Sequence, residues 1–205
     1  IINLICRFYD ATSGKVSYRG KDVKDYQHEY LLKKIGLVPQ KAVLFQGTIL
    51  ENLLWSNENA SMQDIEEALE MAQAKEVVDE KEGGLDYLLE QNGRNLSGGQ
   101  KQRLTIARAL VKKPEILILD DSSSALDFAT DAALRKAIRS YKEEMTVFIV
   151  SQRTSSLQHA DQILVLEDGK VAGIGKHDEL LENCSIYKEI YDLQFKKGDQ
   201  QNAIN

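Results

Sequence analysis

The chain has 205 residues, of which 42% are hydrophobic and 28% are charged, a composition typical of a globular domain. Its formal net charge of −6 argues against a nucleic-acid partner, because phosphate backbones are normally bound by basic surfaces. No apolar run approaches the roughly 18–20 residues that span a bilayer. The two cysteines, Cys6 and Cys184, have neither a metal-binding nor a disulfide pattern and favour a reducing, cytosolic setting.

The first half of the chain predicts short mixed elements and then helices. The apolar spacing of IINLICRFY is helical, and because no capping residue precedes Ile1, we expect this helix to begin upstream. A short strand, KVSYRG, a helix, HEYLLKKI, and an apolar strand, IGLVPQ, follow. Residues 41–95 predict helices and no convincing strand, with Ser61 as the N-cap of SMQDIEEALEMAQAKEVVDE. We therefore expect a helical subdomain, residues 41–112, inserted into an α/β core.

The second half of the chain alternates strands with helices. The helix GGQKQRLTIARALVKK stops before Pro114, and the strands EILIL, TVFIV and QILVLED alternate with the helices FATDAALRKAIRSY and TSSLQHA. This alternation predicts a mainly parallel sheet covered by helices on both faces. Two helices, HDELLEN and IYKEIYDLQF, precede a polar segment, 197–205, which we expect to be a loose tail. The α/β core would comprise residues 1–40 and 113–196.

Two stretches contain residues suited to phosphate and metal chemistry. In LSGGQ, Ser97 is a good N-cap, and Gly98 and Gly99 leave backbone N–H groups unshielded at a positively polarised helix start. By itself this pattern fits a phosphate site and a plain Ser-capped helix equally well. In LILDDSSSALD, Asp120 and Asp121 end a buried strand, where open α/β sheets place their ligands.

The motifs VPQ, LSGGQ, ILILDD, SALD and VSQR, in this order and spacing, resemble the nucleotide-binding domain of the ATP-binding cassette (ABC) family from Ile1 to about Phe195. RFYD, TILENL, ADQILVLEDGKV and KHDELL look most like the exporter branch. The resemblance implies a RecA-like α/β fold, in which a mainly parallel core has an antiparallel edge and carries the helical subdomain. It also implies ATP and Mg²⁺ as cofactors, with residues 1–205 forming part of such a domain.

The resemblance implies a role for each matching residue. Gln40 would reach Mg²⁺ and the attacking water, and Asp120 would hold Mg²⁺ through water, as suits a hard cation with oxygen ligands. Asp121 and Gln152 stand at positions that the family uses for catalysis. Asp127 would cross the dimer interface, and it fits a helix N-cap equally well. The residues that would contact ATP held by the opposite subunit are Ser97, Gly98, Gly99 and Gln100.

The family's phosphate loop is the first point at which this sequence departs from the pattern. That loop, G-x-x-x-x-G-K-S/T, cradles the phosphates with backbone N–H groups and a Lys, and this chain begins where the loop should end. We expect a preceding segment to contain the loop, together with a transmembrane half. Residues 1–205 alone should bind ATP weakly.

The family's usual Glu and His are the other two departures. Asp121 replaces Glu and is one methylene shorter, and a misplacement of about 1 Å can cost on the order of 10²-fold in rate. A site that keeps Mg²⁺–ATP affinity but hydrolyses poorly and a tolerated exchange are equal alternatives for Asp121. Gln152 replaces His, and an amide can hydrogen-bond a phosphate but cannot titrate. His159 is better interpreted as an exposed helix-end residue than as a replacement.

The intact LSGGQ and the altered Asp121 and Gln152 together resemble the degenerate half of a heterodimeric multidrug exporter. We therefore predict an ATPase subunit at the cytoplasmic face of a membrane, paired with a second ABC half-transporter that supplies the missing Glu and His. Its own site would be weak or inactive. Two alternatives are a regulatory module that clamps ATP without chemistry, and a soluble ABC ATPase acting on nucleic acid, which the acidic charge disfavours.

Two lesser features have simpler interpretations. TILENL lies where the family contacts its transmembrane partner, so we expect it to contribute to that contact. Trp55 and the stripe formed by Tyr187, Tyr191 and Phe195 have helical spacing and are interpreted as packing residues.

Overall fold

The structure is a computed structural model that describes residues 1–122, 124–141 and 144–202. The chain forms two compact units, Ile1–Val150 and a second unit that begins at Ser151. The elements of the first unit, in chain order, are α1 (Ile2–Ile5), β1 (Ser17–Tyr18), β2 (Lys21–Asp22), α2 (His28–Lys34), β3 (Ile35–Val38), β4 (Gly47–Thr48), α3 (Ile49–Leu54), α4 (Met62–Met71), α5 (Lys75–Asp79), β5 (Leu88–Leu89), α6 (Gly98–Val111), β6 (Ile116–Asp120), α7 (Phe128–Arg139) and β7 (Thr146–Val150). The elements of the second unit are β8 (Ile163–Glu167), β9 (Lys170–Gly175), α8 (His177–Asn183) and α9 (Ser185–Asn202).

A three-stranded parallel sheet forms the centre of the first unit, in the order β3-β6-β7. Its middle strand, β6, has neighbours on both sides, and its residues Leu117, Ile118 and Leu119 are buried. A strand covered on both faces reads as a continuous apolar run, which is why the sequence ILIL predicts it. The register places Val38 opposite Leu119, so β3 and β6 end at the same edge. The α/β fold with a parallel sheet is therefore confirmed.

Helices α3 to α6 pack together beside this sheet, and their apolar faces share its core. Ile65 and Leu69 of α4 pack in one cluster with Leu104 and Leu110 of α6. Ser61 caps α4 as predicted, because its hydroxyl accepts the N–H of Asp64. A substantial part of the stability of these short helices comes from burying these faces against each other, since helices of this length are marginal alone.

Two short strands correct the prediction that residues 41–95 contain no strand. β4 and β5 pair antiparallel, with Gly47 opposite Leu89 and Thr48 opposite Leu88. A two-residue strand is too short for a period of two to appear in the sequence. The predicted long helix after Ser61 is also interrupted, because Gln73 adopts a left-handed φ of 55° between α4 and α5.

The ends of the chain differ from the predicted elements as well. The first helix ends at Ile5 instead of residue 9, and Arg7 has a left-handed φ of 52° that no continuing helix allows. The last helix, α9, continues to Asn202, so residues 197–202 are helical and not a loose tail, and the rest of the predicted tail, 203–205, lies outside the described residues. Lys, Asp and Gln there interrupt a helix far less than Pro, which is absent from this stretch.

The second unit contains a β-hairpin and two helices. β8 and β9 pair antiparallel through a two-residue turn, in which Asp168 and Gly169 have φ values of 48° and 76°. Such a turn requires positive φ at both positions, for which Asp-Gly is a preferred pair. The predicted helix TSSLQHA is only a 3-10 turn, Thr154–Ser156. In the part of the chain that the structure describes, no helix combines the length and the apolarity needed to cross a membrane.

Candidate functional site

The carboxyl edge of the parallel sheet brings the predicted site residues Gln40 and Asp121 together. Asp120 is the last residue of β6, and Gln40 follows shortly after β3 ends at Val38. Because the two strands end side by side, the residue after Asp120 comes within reach of Gln40. Gln40 Nε2 donates a hydrogen bond of 3.0 Å to Asp121 Oδ2. This contact spans 81 positions of the chain and defines an acidic edge, formed by Gln40, Asp120 and Asp121.

The hydrogen-bonding capacity of the carboxylate fixes the orientation of the Gln40 amide. An ionised carboxylate only accepts, so the NH₂ group of Gln40 must face Asp121. Its oxygen, Oε1, has no hydrogen-bond partner among the residues that the structure describes. A free amide oxygen beside the half-buried Asp120 is the kind of ligand that Mg²⁺ prefers.

The acidic edge fits Mg²⁺ better than a metal that needs a protein cage. Across residues 1–122, 124–141 and 144–202, no group of three or more His, Cys, Asp or Glu side chains could hold a metal ion. Mg²⁺ does not need such a group, because it keeps several waters and takes one or two carboxylates together with substrate phosphates. Asp120 and the oxygen of Gln40 satisfy that smaller requirement.

Asp121 has an unusual backbone conformation. Its φ is 44°, its N–H donates to the carbonyl oxygen of Val150 at 2.9 Å, and its own carbonyl oxygen accepts the Ser124 hydroxyl at 2.9 Å. Asp is several-fold enriched at positive φ compared with most residues that carry a side chain. The shorter acid therefore suits the backbone at this position, whatever it does to catalysis.

The start of α6 has the geometry of an anion site. Ser97 is its N-cap, and the Ser97 hydroxyl accepts the N–H of Gln100 at 3.2 Å while Gln100 Oε1 accepts the N–H of Ser97 at 3.1 Å. The N–H groups of Gly98 and Gly99 have no partner in the described part of the chain. Two free donors at the positive end of a 14-residue helix favour a phosphate. We call this feature the signature start, residues 97–100.

The loop that follows the acidic edge lies close to the signature start. A Cβ atom built on Gly99 would be 3.4 Å from the carbonyl oxygen of Ala125. Asp127, at the end of this loop, is the N-cap of α7 and accepts the N–H of Thr130 at 2.9 Å and its hydroxyl at 2.7 Å. These bonds, the backbone one first, lower the pKa of the Asp127 carboxyl. The capping role that the sequence allowed for Asp127 is confirmed, and its interface role stays a prediction.

Gln152 belongs to the second unit, where its side chain is exposed. Its carbonyl oxygen accepts a hydrogen bond from Gln194 of α9, a residue that the sequence analysis missed. The signal that could have found Gln194 is its position on the same helical face as the buried Tyr187, where a polar side chain must find a partner. His159 is exposed, as predicted.

An exposed aromatic pair lies on the helical subdomain. Trp55 is 71% exposed and stacks on Phe45 with ring centroids 4.6 Å apart, so the packing predicted for Trp55 takes place at the surface and not in the core. Buried Asn52 holds the backbone below the pair by accepting the N–H of Phe45 and donating to its carbonyl. Arg108 of α6 donates to the carbonyl oxygen of Val43 at 2.8 Å and lies over the Phe45 ring. The pair is therefore a firmly supported surface.

Comparisons with known proteins agree with this geometry. A family model described as ABC transporter matches residues 1–124. An uncharacterized ABC transporter ATP-binding protein, YfiB, of Bacillus subtilis (strain 168) is 48% identical over 203 residues, which cover 99% of this chain and 35% of that protein. An ATP-dependent lipid A-core flippase of Vibrio vulnificus (strain CMCP6) is 41% identical over 199 residues, covering 97% of this chain and 34% of the flippase.

A solved structure of a bacterial Atm1-family ABC exporter with ATP bound is similar over 94% of this chain and 34% of its own, with a TM-score of 0.90 and 34% identity. The chain belongs to the ABC transporter family, and the part of the family that it resembles is the nucleotide-binding domain of exporters. The resemblance stated from the motifs is thus confirmed. The chain spans about a third of the length of the curated relatives that it matches.

Proposed function

We propose that this chain is the ATP-binding domain of an exporter subunit whose own site hydrolyses ATP poorly, while its signature start completes the active site of a partner subunit. The observation that carries the proposal is the hydrogen bond from Gln40 to Asp121. This bond engages one oxygen of a carboxylate that is already one methylene shorter than the family's Glu. Little of the side chain then remains to orient a water molecule.

Each of the three side chains of the acidic edge would have its own role in catalysis. Mg²⁺, when bound with ATP, neutralises charge that develops on the transferred phosphoryl group. Asp120 and Gln40 Oε1 would hold the ion, and Asp121 would face the attacking water with Oδ1, since Oδ2 accepts the Gln40 amide. Positioning supplies most of the catalysis in phosphoryl transfer, so a carboxylate of correct charge and short reach favours binding over hydrolysis.

The signature start supports the other half of the proposal. A phosphate at this helix end would meet the two free N–H groups of Gly98 and Gly99 and the hydrogen of the Ser97 hydroxyl. Nothing in these residues departs from the family pattern, whereas Asp121 and Gln152 both do. An intact signature start combined with altered residues at positions 121 and 152 favours a pair of two different subunits. The partner would be a second ABC half-transporter, giving a heterodimer.

Transport across a membrane is inferred from the similar proteins and from the exposed Phe45–Trp55 pair. A flippase and an exporter are among the proteins most similar to this chain, and we infer an export function at the cytoplasmic face of the cell membrane. A multidrug or lipid-like cargo is the expectation from the exporter branch. The exposed Phe45–Trp55 pair offers an apolar contact for a transmembrane half, which we expect on the same full-length chain.

A regulatory module that clamps ATP without chemistry is the second candidate function. Gln152 favours it, because an amide can hold a phosphate oxygen but cannot exchange a proton near neutral pH. The two candidates differ in whether the site gains hydrolysis when its two altered residues are restored. An ATPase acting on nucleic acid has less support, given the net charge of −6.

The deciding experiment restores Asp121→Glu and Gln152→His in the full-length heterodimer. Gly98→Asp in the same chain would silence the partner site by placing a charge against its phosphate, so phosphate release then reports this chain's own site. We expect single-turnover release to rise about 10- to 100-fold. Asp25→Glu with Gln162→His, two exposed positions, is the matched control and should change nothing. No rise would show that these two residues do not limit the site, which contradicts the proposal.

Membrane association is tested separately. The full-length native chain should sediment with the membrane fraction and leave it only in detergent. Recovery of the full-length chain with nucleic acid in the soluble fraction would contradict the export function. This measurement is independent of the rate at the altered site.

A further inference from the structure

A glutamine of the last helix holds the backbone on both sides of residue 153. Gln194 of α9 lies in the same unit as Gln152 and Thr154. Its Oε1 accepts the N–H and the hydroxyl of Thr154, each at 2.9 Å, and its Nε2 donates to the carbonyl oxygen of Gln152 at 2.5 Å. Thr154 is only 2% exposed, so these bonds replace water that cannot reach it.

The chemistry of the partners determines which side chain can stand at position 194. A backbone N–H only donates and a carbonyl oxygen only accepts, so the side chain must offer one acceptor and one donor side by side. Glu has two acceptors and no donor when ionised, and Asn has the right groups on a shorter arm. Gln194 satisfies both partners, and this pairing also fixes the orientation of its amide.

The side chain of Gln152 has no such support of its own. It is exposed, and within the described residues it makes no hydrogen bond. The backbone around residue 152 is also stabilised locally, because the Ser151 hydroxyl oxygen accepts the N–H of Arg153 at 3.0 Å. The direction in which the Gln152 side chain leaves the loop is therefore set by its backbone, and Gln194 holds that backbone from 42 positions away.

We propose that Gln194 of α9 is a positioning residue for position 152. It would orient the side chain of residue 152 toward the nucleotide by holding the backbone of that residue. The inference rests on the proposed function, in which residue 152 acts on ATP. Gln194 touches no substrate in this role and acts only through the carbonyl oxygen of Gln152. The competing explanation is that Gln194 merely stabilises the second unit by satisfying the buried Thr154.

The test asks whether the gain from restoring the site depends on Gln194. In the full-length heterodimer carrying Gly98→Asp, the pair Asp121→Glu and Gln152→His is compared with and without Gln194→Met, a change of similar size that removes both polar atoms. We expect the 10- to 100-fold gain in phosphate release to fall below about threefold when Gln194→Met is present. Gln162→Met, the same change at an exposed glutamine of this unit, should leave the gain intact.

Gln194→Glu separates positioning from stability. It keeps the acceptor for Thr154 but places a carboxylate against the carbonyl oxygen of Gln152, so the gain should be lost while the Thr154 amide stays protected. Hydrogen–deuterium exchange on a peptide covering residues 151–156 measures that protection. With Gln194→Met, exchange of the Thr154 amide should rise at least tenfold, since its buried acceptor is gone.

Three results would overturn the proposal: a full gain that survives Gln194→Met, a full gain that survives Gln194→Glu, or unchanged exchange at Thr154 with Gln194→Met. If the restored pair gives no gain even with Gln194 intact, the proposed function fails instead. The exchange measurement, which needs no turnover, then decides the positioning role: faster exchange at residues 152 and 153 with Gln194→Glu, while the Thr154 amide stays protected, supports it, and unchanged exchange at residues 152 and 153 contradicts it.

Discussion

The acidic edge and the signature start lie in the same unit, but they are built in opposite ways. The signature start consists of neighbouring residues that satisfy one another within one helical turn. The acidic edge joins Gln40 to Asp121 across 81 positions and needs a left-handed backbone at Asp121. A site built from neighbouring residues tolerates substitutions elsewhere in the chain. A site assembled from distant residues depends on the length of each side chain that reaches across it. Such a difference would let the signature start stay intact while the acidic edge departs from the family pattern.

The largest expected effect comes from charging the signature start. Gly98→Asp should lower ATP hydrolysis by the full transporter about 100-fold, because a carboxylate would stand where the proposed function puts a phosphate. The fold should be unharmed, since a Cβ on Gly98 meets nothing within 4 Å and Asp is favourable in a first helical turn.

Gly98→Asn is the control of equal size for this prediction, and it should cost far less than tenfold. Equal losses for the two variants would mean that bulk and not charge disturbs the signature start, which contradicts its assignment as an anion site. Steady-state phosphate release with thermal unfolding as a companion measurement checks both variants.

A smaller effect is expected at the acidic edge. Gln40→Met removes the hydrogen bond to Asp121 and the free oxygen, so Mg²⁺–ATP affinity of this chain's own site should fall about tenfold. Binding of a fluorescent ATP analogue with and without Mg²⁺ measures it. Gln46→Met, at an exposed neighbour, should leave affinity unchanged. An unaltered Mg²⁺ dependence in Gln40→Met would exclude Gln40 as a ligand.

Two capped helices allow stability to be separated from activity. Ser61 and Ser97 are both N-caps with reciprocal side-chain bonds, at the starts of α4 and α6. Ser→Ala at either position should lower the free energy of unfolding by about 1 kcal/mol, measured with urea. Only Ser97→Ala should also reduce ATP hydrolysis beyond that stability loss. Equal activity of the two variants would remove Ser97 from the nucleotide site.

The smallest effect distinguishes the same two helix starts by pH. Hydrogen bonds from Lys113 and Ser61 lower the Asp64 carboxyl pKa from 3.8 to about 2, whereas Gln100 at the equivalent position of α6 cannot titrate. A lowered pKa contributes stability that is present above about pH 4 and is lost as the pH falls toward 2.

Asp64→Asn should therefore flatten the dependence of unfolding free energy on pH between 4 and 2, measured by urea denaturation at several pH values. Gln63→Asn, a change one position away that adds no titratable group, serves as the control and should retain the wild-type slope. A slope unchanged by Asp64→Asn would contradict the pKa assignment.

Features encoded within a few residues could be predicted from the sequence. The run ILIL followed by two acids predicts β6 and its ligand edge, because a strand buried on both faces must be continuously apolar. The caps at Ser61, Ser97 and Asp127 follow from a side chain three residues before the N–H that it accepts. In each case the partners are neighbours, so no tertiary information is needed.

Contacts between distant residues could not be predicted. Nothing near Gln194 in the sequence indicates that its amide meets Thr154, 40 positions earlier. Trp55 has helical spacing, yet its ring is exposed and stacks on Phe45, which comes from another segment. Asp is favourable at positive φ, but the sequence does not indicate the bond from the Asp121 N–H to the Val150 carbonyl oxygen that accompanies this conformation. Periodicity reports which face is apolar, but not which remote group completes a polar site.

The reciprocal bonds between Ser97 and Gln100 have a thermodynamic consequence. Every donor and acceptor in that pair comes from one stretch of four residues, so the conformational entropy of ordering the turn is lost once, during folding. Under the proposed function, an arriving triphosphate would find the N–H groups of Gly98 and Gly99 already aligned, and its affinity would not be reduced by the cost of ordering a loop. Encounter between subunits, and not induced local order, would then set how quickly the composite pocket closes.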